Sequence, residues 1–319
     1  MPQISVIIPA YNCAAFIPAT LESVFAQSYS DIEIIFVDDG STDDTPTVLA
    51  PYLDRIIYIR QKNVGLPGAR NTGIRAAKGE FIALLDADDS WMADKLEKQL
   101  PHFADAEVGI VYSDFSVRYS NGRFQPSYLV DRPLASEGYV LENYIRSRFL
   151  FPSTMLIRRK CFDDCGVFDE EMLACEDVEL FARICSRWKV ARVDAPLVIR
   201  YEGTHNITSN SRRVNQYTIL ALEKVLSKQP DLPPSTRKVI NKELGQQHWW
   251  YGYAAFKDGN MAQTRQNLIA SIRCDAHYIR AVAPILAVSF LPSFIVNLLH
   301  KLKSGEIESG ANKPRTLPF

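Results

Sequence analysis

The chain has 319 residues, enough for one large domain and an appendage, and 47% hydrophobic residues supply a core. Lys+Arg 36 against Asp+Glu 37 leaves a net charge of -1, which argues against a nucleic-acid partner. Six scattered cysteines (Cys13, Cys161, Cys165, Cys175, Cys185, Cys274) form no C-x-x-C pair and have no histidine cluster beside them, so the expectation is free thiols in a reducing compartment and no zinc site.

The N-terminus has no basic n-region and only a short apolar run, so it reads as a first strand and not a signal peptide. Ile4 to Ile8 is that strand, ended by Pro9. Pro9-Ala10-Tyr11-Asn12 is a loop, and Phe16 to Ala26 a helix. Tyr11 thus stands at a strand's carboxyl end, where its ring either stacks on a nucleobase or covers the sheet edge. Ile32 to Val37 is the second strand. Gly40 permits a turn with positive φ, and Ser41 with Asp44 resembles a capping box opening a helix to about Tyr52. Asp38 and Asp39 precede that cap. A carboxylate there either accepts hydrogen bonds from a base or ribose or belongs to a solvated acidic loop. Ile56 to Ile59 is a short third strand, and the segment Asn63 to Asn71 leads into a helix to about Ala77. Arg70 in its first turn opposes the helix dipole, a misfit that binding a diphosphate would offset.

Phe81 to Leu85 is a continuous apolar run, read as a strand buried on both faces. Asp86, Asp88 and Asp89 follow at its carboxyl end, where open α/β sheets bind ligands. Three carboxylates so close repel one another unless a cation or a donor network offsets them. In Asp86-Ala87-Asp88 the two carboxylates can point the same way and suit Mg²⁺ or Mn²⁺, a metal usually shared with phosphates. The alternative is a turn in which Asp88, Asp89 or Ser90 caps the next helix. Strands and helices alternating at this length give an α/β fold with a parallel, doubly wound sheet. No G-x-G-x-x-G follows the first strand, no G-x-x-x-x-G-K-[ST] occurs, and Asp86-x-Asp88-x-Ser90 lacks the glycine and later glutamate of an EF-hand.

Four motifs in order resemble the family-2 glycosyltransferases of the GT-A fold: Pro9-Ala10-Tyr11-Asn12, Val37-Asp38-Asp39-Gly40-Ser41-Thr42-Asp43, Asn63-x-Gly65-x-x-x-Ala69-Arg70-Asn71-x-Gly73 and Leu85-Asp86-Ala87-Asp88-Asp89. The resemblance covers roughly residues 1–210. It is specific for the fold and poorly specific for the sugar. It implies a GT-A-type doubly wound, mostly parallel sheet flanked by helices. It also implies that Tyr11 and Asp39 hold the base in a nucleotide-sugar site that includes Pro9, that Arg70 holds the base or diphosphate, Asp86 the ribose and Asp88 the metal.

Gly109 to Asp114 reads as a strand, Phe115 to Arg148 as an irregular polar insertion lining a substrate cleft, and Ser153 to Arg158 as a returning strand. Cys165-Gly166-Val167-Phe168-Asp169-Glu170-Glu171 precedes Glu176-Asp177, which opens an apolar helix; acidic residues there also simply complement the helix dipole. The resemblance makes Asp177 the catalytic base, with Glu176 beside it. Val198 to Tyr201 is a strand, and His205 in the following loop is by the resemblance a metal ligand or phosphate contact, though a lone loop histidine is as readily a surface residue.

From Arg212 the chain turns helical: Val214 to Leu226, then a hairpin of Thr236 to Lys257 and Met261 to Ile272. The hairpin resembles one tetratricopeptide unit, too few for a solenoid. Ala281 to Leu299 holds nineteen residues without a charge, long enough just to span a bilayer. Pro284 and Pro292 interrupt it, and Ser289, Ser293, Asn297 and Lys301 make a polar stripe, which favours a helix in the membrane interface over a span or burial. The expected organisation is a transferase domain over 1–210, a helical appendage with a membrane-surface helix over 211–303, and a flexible tail over 304–319.

The function expected is an inverting, metal-dependent glycosyltransferase. It moves a sugar from a nucleotide-diphosphate donor, a UDP-sugar, to a hydroxyl of a glycan or lipid-linked acceptor in cell-surface polysaccharide or glycolipid synthesis. It works in the cytoplasm, peripherally on the inner membrane face. The rivals are a sugar nucleotidyltransferase, whose Gly-rich basic loop is missing after the first strand; a phosphatase, whose downstream lysine and hydroxyl motifs are not evident; and a non-catalytic sugar-nucleotide-binding protein, against which the intact Glu176-Asp177 pair speaks.

Overall fold

The computed structural model describes residues 2–130, 132, 135–202 and 211–291. His205, the stretch 292–299 of the apolar segment and the 304–319 tail lie outside the described residues. The strands are β1 (Ile4–Ala10), β2 (Ile32–Asp38), β3 (Ile57–Arg60), β4 (Phe81–Leu84), β5 (Ser90–Trp91), β6 (Val108–Tyr119), β7 (Phe124–Gln125), β8 (Met155–Arg158) and β9 (Lys189–Glu202). The helices are α1 (Ile17–Phe25), α2 (Thr45–Leu49), α3 (Leu66–Ala76), α4 (Lys95–Gln99), α5 (Leu141–Ser147), α6 (Lys160–Cys165), α7 (Glu176–Cys185), α8 (Ser211–Lys228), α9 (Pro234–Lys257), α10 (Met261–Cys274) and α11 (Ile279–Val288).

One sheet runs β3-β2-β1-β4-β8-β6-β9-β5, with β7 paired to β6. Its first four strands are parallel. Every residue of β1 and β4 is buried, which is why their sequences run apolar without alternation. β8 pairs antiparallel with both β4 and β6, β6 pairs parallel with β9, and β5 closes the edge antiparallel to β9. The carboxyl ends of β1, β2 and β4 therefore open on one edge of the sheet, and the motif loops all leave from it.

Three sequence expectations are corrected. Ser41 and Asp44 do not form a capping box: α2 starts at Thr45 with no side-chain cap, and the Ser41 hydroxyl instead accepts from the Asn12 backbone N–H at 3.0 Å. β6 does not stop at Asp114 but continues to Tyr119, bending through register shifts on both sides of Asp114. The Asp114 Oδ1 accepts from the N–H of Phe115, Tyr128 and Leu129, which folds the supposedly irregular insertion back on the strand. Buried polar Ser113, Asp114 and Ser116 disguised this extension in the sequence. Pro284 does not break α11, which runs from Ile279 to Val288 around it.

The chain divides into two compact units, Met1–Glu243 and Leu244–Phe319, with the boundary inside α9. Within the second, Ser271 Oγ donates to the Gly245 carbonyl at 2.7 Å and His248 Nδ1 lies 2.9 Å from Asn267 Oδ1, tying α9 to α10. Among the described residues no helix is long and apolar enough to cross a membrane.

α3 lies against β1 because Gly73 has no side chain: a Cβ there would stand 2.3 Å from Ile7 Cγ2. Gly73→Ala should overpack this contact and lower stability by about 1–3 kcal/mol. Urea denaturation checks it as a fall in midpoint at unchanged slope. An unchanged midpoint would mean that α3 can lift from β1 freely.

Candidate active site

The Asp86–Asp89 turn is held from three sides. Asp86 donates its backbone N–H to Ser153 Oγ at 3.1 Å, and the same hydroxyl donates to Asp89 Oδ2 at 2.6 Å. Thr20 Oγ1 in α1 bonds the carbonyls of Ala87 and Asp89 at 2.7 and 3.0 Å. Arg70 in α3, with its side chain only 2% exposed, donates from Nη2 to Asp86 Oδ1 at 2.7 Å and from Nη1 to Glu176 Oε1 at 2.6 Å. One buried guanidinium thus joins the end of β4 to the start of α7. The Asp88 carboxyl is held above the usual range, first by burial and then by the charge of Asp86; Asp89 is raised too, by burial, against the pull of Arg200. Clustered hard oxygens that resist ionisation together fit a divalent cation. Among the described residues no three His, Cys, Asp or Glu side chains form a metal-holding group by themselves.

On the β1–β2 side, carboxylates organise backbone. Asp39 Oδ1 accepts from Gln61 Nε2 and the Val64 N–H at 2.8 and 3.0 Å, and Oδ2 from the Gly65 N–H at 2.8 Å. Asp38 takes the Ser41 N–H at 2.8 Å and the Tyr58 hydroxyl at 2.9 Å. Gly40 between these contacts has φ 79 and no room for a Cβ, which would meet the Asn63 backbone nitrogen at 3.0 Å. Asn12, at φ 53, accepts the Thr42 N–H on Oδ1 at 2.8 Å. Pro9 is buried in β1, whereas the Tyr11 ring is 51% exposed at the strand end and available to stack. The structure therefore brings Pro9, Tyr11, Asp39, Asp86 and Asp88 to one sheet edge. Arg70 is buried behind that edge.

Glu176 and Asp177 open α7, preceded by Cys175 in the left-handed region at φ 56. That strain is of order 1–3 kcal/mol, and α8 offsets it: the Cys175 thiol lies 3.7 Å from the Val214 carbonyl and 3.6 Å from Thr218 Oγ1. Glu176 is committed to Arg70, while Asp177 is half-buried and, among the described residues, its Oδ1 accepts only the Val178 N–H at 2.8 Å. Its carboxyl is pushed up to about 7, by burial first and by Glu176 next, against the pull of Arg70. Sequence reasoning missed Ser153 and Arg200: a serine in the turn before β8 and an arginine near the end of β9 carry no motif.

The fold is that of solved glycosyltransferases. The crystal structure of S. aureus TarS in complex with UDP-GlcNAc superposes with TM-score 0.67 at 19% identity, over 90% of each chain. The Pyrobaculum calidifontis mannosyltransferase in complex with GDP-Man and Mn²⁺ gives TM-score 0.61 at 19% identity, over 90% of this chain and 79% of that one. Residues 5–166 match the family model described as glycosyl transferase family 2, and the chain belongs to that family. Among its relatives, the Escherichia coli UDP-Glc:alpha-D-GlcNAc-diphosphoundecaprenol beta-1,3-glucosyltransferase WfaP is 45% identical over 120 residues, 37% of this chain and 47% of that protein. The Bacillus subtilis putative teichuronic acid biosynthesis glycosyltransferase TuaG is 38% identical over 125 residues, 38% of this chain and 50% of that protein. The match spans about half the length of these two relatives.

A carboxyl whose folded pKa lies above its unfolded value binds its proton more tightly in the native state. The stability contributed by protonated Asp177 is thus full below about pH 4 and is lost as pH rises through about 7. Asp177→Asn carries no such dependence. Between about pH 4 and pH 8 the wild type should lose roughly 2–4 kcal/mol relative to the variant, measured by urea denaturation across the range. A difference independent of pH would mean that the Asp177 carboxyl ionises as it does in water.

Proposed function

We propose that this chain is an inverting glycosyltransferase that moves a sugar from a nucleotide-diphosphate donor, a UDP-sugar, to a hydroxyl of a lipid-linked or glycan acceptor in cell-surface polysaccharide synthesis. The observation that carries this reading is the pair of acidic groups joined by Arg70: a cation-suited cluster at the end of β4 and a carboxyl of raised pKa at the start of α7. Support for the donor comes from the UDP-GlcNAc named in the TarS structure and the UDP-Glc in the name of WfaP, and for the acceptor from the diphosphoundecaprenol of that name.

Tyr11 stacks on the base, and Asp39 accepts from it while its other contacts shape the Val64–Gly65 turn. Asp86 accepts from the ribose, oriented by Arg70, which reaches the nucleotide through that carboxylate. Asp88 would hold a Mg²⁺ or Mn²⁺ ion, which when bound supplies positive charge to the donor's diphosphate. Asp177 takes the proton from the acceptor hydroxyl as its oxygen bonds to the anomeric carbon and the bond from that carbon to the diphosphate breaks. The nucleoside diphosphate leaves with the electron pair. A carboxyl with a pKa near the working pH suits such proton transfer. Glu176 holds Arg70 and raises the proton affinity of Asp177.

In α11 and just beyond, Ile279 is 52% and Phe290 66% exposed, and Arg280 stands beside Ile279. This apolar face fits the surface of an anionic bilayer, where a lipid-linked acceptor would be met. A carbonate wash of cell membranes should release the protein to the supernatant. Retention in the pellet would favour a span, and recovery without any wash would remove the membrane contact.

Asp177→Asn keeps size and hydrogen bonding but cannot accept the proton. Turnover should fall about 10²- to 10⁴-fold, while donor affinity measured by calorimetry stays within about twofold. Near-normal turnover in the variant would displace the base from Asp177. Loss of donor binding in step with turnover would make Asp177 a donor ligand instead.

A further inference from the structure

Arg200, near the end of β9, is a second cation beside the aspartate cluster. Its Nε stands 3.8 Å from Asp89 Oδ2, an ion-pair separation too long for a hydrogen bond. The guanidinium carbon lies 5.4 Å from the Phe115 ring centroid and 5.1 Å from that of Phe151. Those rings meet edge to face at 4.8 Å, so the guanidinium is braced by a rigid aromatic corner. The Arg200 side chain is 32% exposed, whereas Asp89 is 4% exposed. Among the described residues no hydrogen bond occupies its N–H donors. Arg70 makes the contrast: it is buried, and its two terminal nitrogens are bonded to Asp86 and Glu176.

A braced guanidinium whose donors no described residue engages, reaching solvent beside a carboxylate cluster suited to a cation, matches the next layer of charge. The cluster would hold a divalent cation that draws in phosphate, and the guanidinium offers a planar fork that donates to phosphate bidentately. We infer that Arg200 is a direct contact for the diphosphate of the nucleotide donor and for the charge that grows on it as it leaves. The inference rests on the functional reading given above. Because the aromatic corner fixes the guanidinium in advance, little reorganisation is needed when that charge develops. The competing role is purely structural, with Arg200 serving only as counter-ion to Asp89.

Calorimetry of the full chain with UDP, in Mn²⁺ at a concentration that saturates the wild type, separates the two. Arg200→Ala should weaken UDP binding about 10- to 100-fold, the loss expected for a charge-assisted hydrogen bond. Arg200→Lys, which keeps the charge but not the fork, should recover only part of it. Unchanged UDP affinity in Arg200→Ala, with a lowered melting temperature or without one, would overturn the inference. So would full recovery by lysine, or a loss in Arg200→Ala that disappears as Mn²⁺ is raised further, since either would mean that Arg200 acts through the aspartates. No UDP binding by the wild type would overturn the functional reading as well, whereas normal wild-type binding with an unaffected Arg200→Ala overturns only the role of Arg200.

Discussion

A guanidinium buried without partners is costly, and Arg70 is buried in α3, one turn in from Leu66. Two carboxylates offset that penalty, and they come from 16 and 106 residues away in the chain. The protein therefore cannot satisfy Arg70 without bringing the end of β4 and the start of α7 together. Removing either acid would leave charge unbalanced in a water-poor place, so the pairing is a constraint on the fold as much as a feature of the site. It also divides the labour between neighbours: Glu176 is neutralised by Arg70, and Asp177 next to it is left with a raised pKa.

α7 needs more than one anchor to hold Asp177 steady. Glu179, wholly buried one turn on, receives Nε and Nη2 of Arg183 at 2.9 and 2.7 Å and Lys228 of α8 at 3.0 Å. Arg183 also donates to the carbonyls of Cys165 and Val167, and Lys224 and Lys228 reach Asp169. Asn71, next to Arg70, holds Phe168 by both its N–H and its carbonyl. The segment from Cys165 to α7 is thus fastened to α3 on one side and α8 on the other. These charges are paired within the protein, and among the described residues no cation is bonded directly to the carboxyl of Asp177.

The nucleotide-facing edge is built differently. There the acids of the β2 loop accept from backbone N–H groups and from Gln61 and Tyr58 and hold loop shape, and the Tyr11 ring stands exposed beside them. Rigid loops around an open aromatic surface suit recognition of a flat base, because the loops are already ordered before the ligand arrives.

The parallel half of the sheet, the acidic turn after Phe81–Leu84 and the acidic start of α7 were legible in the sequence. Each is local: an apolar run, a loop composition, a helix start. Family membership was legible for the same reason, since four short motifs stand in order. What the sequence did not carry was how polar groups pair across distance. Ser41 looked like a helix cap because an acid, Asp44, stands three residues on, yet it bonds Asn12, 29 residues earlier. Arg70 was read as a ligand contact because a cation early in a helix opposes the dipole, and its carboxylate partners, Asp86 and Glu176, stand 16 and 106 residues on. Asp114 looked like the end of a strand because the groups that satisfy its carboxylate include the Tyr128 and Leu129 N–H, 14 and 15 residues on. Burial of an apolar run is written in the run itself, whereas the partner of a buried charge is chosen only when the chain has folded around it.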